Sequence, residues 1–133
     1  MPVKILYFPV AVSAGLPALV ADYMEESTDL NELLIKNPSS TFLVKIEGES
    51  MVDFHIPPFS KVLVDRSRHP SSGDIIVGVM NGEFIIKQLC IAYGTVMLVP
   101  GNPRYKTIHV TEEMHFSVWG VVTQIFIDPK NII

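Results

Sequence analysis

Basic runs, cysteine pairs and long apolar segments are all missing from this chain, and each absence closes off a class of function. Ten Lys and Arg stand against 14 Asp and Glu, giving a net charge of −4 and a pI near 5.5. The cations are scattered, whereas a DNA-reading surface needs them clustered against phosphates, so no direct sequence-specific DNA binding is expected. A single cysteine, Cys90, excludes an internal disulfide and suits a reducing cytosol. It has no partner cysteine, and His55, His69, His109 and His115 lack zinc spacing and sit in or beside turns. There is no glycine-rich phosphate loop, since Gly78 to Gly82 reads as a strand end and turn. Neither a metal nor a cofactor is expected. No stretch approaches the ~20 apolar residues that span a bilayer. The N-terminal Ala11-Val12-Ser13-Ala14 superficially mimics a signal-peptide cleavage site, but Pro9 breaks a short apolar run with one basic residue before it. A cytoplasmic chain with no membrane partner is the expectation.

What is present argues for one folded domain. The chain has 133 residues, 48% hydrophobic and 18% charged, enough to build a core rather than stay disordered. Residues 1–15 read as an extended apolar arm ending in small residues. Pro17 opens a short helix through Tyr23. Asp29-Leu30-Asn31-Glu32 resembles a capping box, with Leu30, Leu33 and Leu34 as an apolar stripe and Asn37-Pro38 as the stop. From Thr41 the period changes to that of strands: 41–46, 61–65, 74–80, 83–89, 95–99 and 116–127 are rich in Val, Ile and Phe. Turn signals separate them, and Asn81-Gly82 between two apolar runs predicts a two-residue hairpin. Six or seven strands in about 90 residues imply a compact, mostly antiparallel β domain behind a small N-terminal piece.

Two residues carry candidate chemistry. Ser50 follows strand 41–46 in Gly48-Glu49-Ser50-Met51, where Gly48 permits a sharp turn and Met51 to Phe54 begins a short helix. Backbone N–H groups at such a turn can hold an oxyanion. The second glycine of the hydrolase nucleophile elbow is absent, so that motif does not apply, and a serine in a turn is more often structural than catalytic. Lys87 lies in Phe84-Ile85-Ile86-Lys87-Gln88-Leu89-Cys90. Strand alternation puts it with Glu83, Ile85 and Leu89, yet both faces are substantially apolar. It either snorkels to an edge, guarding a strand against aggregation, or sits buried and neutral, able to take a proton from a serine.

The order and spacing of several blocks resolve more than any one of them. Ala21-Asp22-Tyr23, Asp29 to Ile35, Val44-Lys45, Gly48-Glu49-Ser50-Met51, Leu63-Val64-Asp65, Gly73-Asp74-Ile75-Ile76, Asn81-Gly82-Glu83-Phe84 and Gly120-Val121-Val122 resemble the LexA/UmuD family of self-cleaving Ser-Lys peptidases, UmuD branch, from Ala14 to about Ile127. The resemblance implies Ser50 as nucleophile, Lys87 as general base, the Met51 backbone N–H in the oxyanion hole, and a scissile Ala14-Gly15 bond. It implies a cleavable arm (1–14), a linker with short helices (15–40) and a β-rich peptidase and dimerisation domain (41–133). It also implies a homodimer whose cleavage is promoted by a RecA–single-stranded-DNA filament. The shortened dimer would serve a UmuC-like Y-family polymerase in translesion synthesis during the SOS response. Fourteen residues before the cut cannot hold the helix-turn-helix of a LexA-like repressor. One departure stands out: relatives usually carry a Gly-Asp turn between the serine and strand 61–65, and here the segment is the apolar Phe54-His55-Ile56-Pro57-Pro58-Phe59-Ser60. Two other readings compete. One is a non-catalytic dimeric binding module regulating a polymerase or other DNA-repair partner. The other is a signal peptidase, which shares the dyad but needs a membrane anchor.

Overall fold

The structure, a computed structural model of the chain, describes residues 4–7, 12, 14–15 and 26–131. Its contacts divide the chain into two units, 1–38 and 39–133.

In the first unit, β1 (Lys4–Tyr7) pairs antiparallel with β2 (Glu26–Asp29), in the register Lys4–Asp29, Ile5–Thr28, Leu6–Ser27, Tyr7–Glu26. The extended arm of the sequence reading is thus partly a strand, and the segment read as linker supplies its partner. Glu26-Ser27-Thr28-Asp29 lacks the large apolar residues that mark strands, so its pairing depends on a neighbour distant in sequence. Helix α1 (Leu30–Leu34) starts where expected, with the Asp29 side chain accepting from the Asn31 N–H at 2.9 Å. It stops earlier than Asn37-Pro38, because Ile35 already leaves helical geometry, and Pro38 instead opens a 3-10 turn over Pro38–Ser40. The helix expected from Pro17 to Tyr23 lies outside the described residues.

The second unit is a seven-stranded antiparallel sheet. Its strands are β3 (Thr41–Lys45), β4 (Lys61–Asp65), β5 (Ile75–Met80), β6 (Glu83–Ala92), β7 (Thr95–Val99), β8 (Ile108–His109) and β9 (Ser117–Phe126), in the order β3-β4-β9-β5-β6-β7-β8. The expected mostly antiparallel β architecture is therefore what the chain adopts. The β5–β6 hairpin turns on Asn81 and Gly82, whose φ values of 49° and 81° supply the two left-handed residues a two-residue turn requires. Tyr93 and Gly94 (φ 52° and 73°) do the same between β6 and β7. Successive residues of a strand face opposite sides, and β5 feeds two cores accordingly. Val77 joins Ile46, Met51, Ile56, Val62 and Val64, while Ile76 joins Leu89, Leu98 and Val121. With apolar clusters on both faces, the strands read as near-continuous hydrophobic runs rather than clean alternation.

Candidate active site

The loop from Glu47 to Ser60 begins and ends at one place, because the Ile46 N–H donates to the Ser60 carbonyl and the Phe59 N–H to the Ile46 carbonyl, both at 2.9 Å. Gly48 has φ +82°, a conformation side chains rarely adopt, so the chain reverses there just before the serine. A single 3-10 turn over Val52–Phe54 follows. Met51, 1% exposed, anchors the loop in the core beside Ile46 and Ile56.

A second segment, which the sequence marks only as a turn, clamps this loop. The Gly101 N–H donates to the Ser50 carbonyl at 2.6 Å, the Asp53 N–H donates to the Gly101 carbonyl at 2.7 Å, and Asn102 Nδ2 donates to the Glu49 carbonyl at 2.8 Å. A Cβ at Gly101 would come within 2.7 Å of the Phe54 ring and 3.1 Å of the Met51 backbone. Only glycine allows that approach. The signal was the Pro100-Gly101-Asn102-Pro103 cluster, which marks a turn but names no target.

Ser50 and Lys87 meet. Lys87 Nζ lies 3.1 Å from Ser50 Oγ, close enough for the proton to pass in either direction. The strand register explains the placement: Lys87 sits opposite the fully buried Ile76 on β5, while β7 begins to pair with β6 one residue later, at Gln88–Val99. Lys87 is half-buried, and that desolvation pulls its pKa below the ordinary 10.5. Among the described residues, the N–H groups of Ser50 and Met51 donate to no other group. Ala14 and Gly15 form an exposed bend in the first unit.

A groove of ≈ 290 Å³ is lined by Val44 to Glu47 on one side and by Val77 and Phe84 to Ile86 on the other. Its lining contains neither Ser50 nor Lys87, but Ile86 directly precedes Lys87 and Glu47 lies three residues before Ser50. Its two walls have open strand edges. β3 is an end strand of the sheet, and β6 has no β7 partner before Gln88. Phe84, at the rim, sets its ring edge-on to Trp119 at 5.5 Å. Phe42 packs 5.4 Å from the same indole, and the Arg66 guanidinium lies 4.6 Å above it.

No cluster of His, Cys, Asp and Glu suited to a metal occurs among the described residues, and none of their helices is long and apolar enough to cross a membrane.

Comparison with known proteins covers most of the chain. Residues 6–123 match the Peptidase S24-like family. Protein SamA of Salmonella typhimurium is 37% identical over 110 residues, covering 83% of this chain and 76% of its own length. Protein MucA of Escherichia coli is 30% identical over 118 residues, 88% of this chain and 80% of its own. The LexA repressor of Stenotrophomonas maltophilia is 34% identical over 123 residues, 91% of this chain but 58% of its own. A matched family spanning most of the sequence, an antiparallel β unit and a serine within reach of a half-buried lysine agree with one another: the chain belongs to the Peptidase S24-like family of self-cleaving serine peptidases, on its UmuD branch.

Proposed function

We propose that this protein is a self-processing switch of SOS mutagenesis, cutting its own Ala14-Gly15 bond with Ser50 and Lys87. The observation that carries the reading is the 3.1 Å contact between a turn serine and a lysine whose proton is already loosened by burial. Neutral Lys87 takes the proton from Ser50 Oγ, and the oxygen attacks the Ala14 carbonyl carbon. The oxyanion that forms is held by the free N–H groups of Ser50 and Met51. As the intermediate collapses, the Gly15 nitrogen leaves with the proton from Lys87, and Ala14 stays esterified to Ser50. A water, deprotonated by the same lysine, then releases the acid and restores the serine. The groove between the open edges of β3 and β6 suits an uncharged segment, and the sequence Pro9-Val10-Ala11-Val12-Ser13-Ala14 carries no charge.

The UmuD branch supports the rest of the reading: a cytoplasmic homodimer, cleavage promoted by a RecA–single-stranded-DNA filament, and a shortened dimer that serves a UmuC-like Y-family polymerase in translesion synthesis. Intact-mass measurement tests the core of it. Wild-type protein at pH 10 or with the filament should lose residues 1–14, whereas Ser50→Ala and Lys87→Ala should be slower by on the order of 10⁴-fold. Equal loss in Ser50→Ala, or none in wild type, would overturn it and leave a non-catalytic binding module.

A further inference from the structure

We infer that the Ala14-Gly15 cut acts as a strand release: it frees the edge of β2 to accept an extended segment of another protein that presents a cation opposite Asp29. This inference rests on the cleavage reading above for its trigger, but on the first unit alone for its geometry. β1 and β2 pair through residues 4–7 and 26–29, and the scissile bond lies in the connection between them. While the chain is intact, that connection holds β1 against β2 at an effective concentration on the order of millimolar. Four residues of a two-stranded ribbon are marginal without such a tether. Hydrolysis therefore turns a local pairing into a bimolecular one, and β1 departs.

β2 is then left with unpaired N–H and C=O groups on the side β1 had covered, a template for strand addition. Its sequence restricts what can fill that place. A second copy of β2, paired antiparallel in register, would set Glu26 across from Asp29 at both ends, carboxylate against carboxylate. The departing strand instead places Lys4 across from Asp29. Beside β2 lies a groove of ≈ 290 Å³ lined by Ser27, Thr28, Asp29, Glu32 and Leu33, with two carboxylates and room for a long basic side chain. The chemistry that fits is an extended strand with one Lys or Arg in register with Asp29.

The test uses the full chain carrying Ser50→Ala, with residues 9–13 replaced by the recognition sequence of a site-specific protease, so that the nick does not depend on the dyad. After nicking, the arm fragment should separate on gel filtration. Amide exchange at Ser27 to Asp29 should accelerate at least tenfold, while Ile75 to Met80 stay unchanged. A peptide of residues 2–9 at millimolar concentration should then shift the Ser27 to Asp29 resonances of the nicked protein and not of the intact one. Lys4→Glu in that peptide should weaken the effect by on the order of 2–5-fold. Co-elution of the arm with unchanged exchange would overturn the release. Equal binding of the Lys4→Glu peptide, or self-association of the nicked protein that Thr28→Pro abolishes, would overturn the assigned occupant. Failure of wild-type protein to cut itself would count against the peptidase reading and leave these results interpretable.

Discussion

The two units of this chain are built to different standards of permanence. The second encloses fully buried Ile56, Val62, Val64, Ile76 and Leu98 in two cores fed by one sheet. In the first, helix α1 buries no residue, and Ile5, Leu6, Tyr7, Leu30 and Leu33 are all exposed. Stability follows buried apolar surface, so local opening should cost far less in the first unit than in the second. For a protein proposed to cut its own arm, that asymmetry is functional. On that proposal, Ser50 and Lys87 are fixed by packing, while β1 is held by a few strand hydrogen bonds that a nick can undo.

The broadest way to break the comparison is to truncate one apolar residue in each unit. Leu98→Ala should lower the unfolding free energy by about 2–5 kcal/mol, whereas Leu33→Ala, at an exposed helix position, should change it by less than about 0.5 kcal/mol. Urea titration of both variants reads the difference, and similar losses would show that the two units share a core. Gly101→Ala sharpens the comparison within the rigid unit. Its methyl meets Phe54 and the Met51 backbone, so overpacking should cost about 1–3 kcal/mol and displace the Ser50 loop. Cleavage should slow more than stability falls, measured by intact mass and urea titration together.

The pH dependence probes the lysine itself. Burial lowers the folded-state pKa of Lys87, so its neutral form is populated below the ordinary 10.5. Self-cleavage should rise about tenfold per pH unit while Lys87 is mostly charged, then level off below that value. A rate still climbing above 10.5 would place Lys87 in water. The smallest effect is expected at Phe59. It is 74% exposed and held at φ +69°, where a bulky side chain is strained. Phe59→Asn should raise stability by about 0.5–1 kcal/mol in the same titration, without changing cleavage.

That same residue shows how far sequence reading reaches. The apolar segment Phe54 to Ser60 stood out as a departure from the usual Gly-Asp turn, but not that Phe59 adopts the backbone conformation glycine takes freely. Strands with dense β-branched residues, such as Lys61–Asp65 and Thr95–Val99, were legible to the residue. Ile108–His109 was not, since two residues carry no period. Ser50 and Lys87 were legible as chemical types in suggestive surroundings, while the Gly101 clamp was not, because a turn signal does not say which carbonyl it will meet.

Composition and local pattern by themselves determined the mostly β class, the Asn81-Gly82 hairpin and the Asp29 cap. Each depends on neighbours a few residues apart. Tertiary structure alone decided that Lys87 is half-buried and 3.1 Å from Ser50, 37 residues away, and that Glu26–Asp29 is a strand at all. Burial and partnership belong to the space between segments, and a side chain's protonation follows from the solvent that this space excludes.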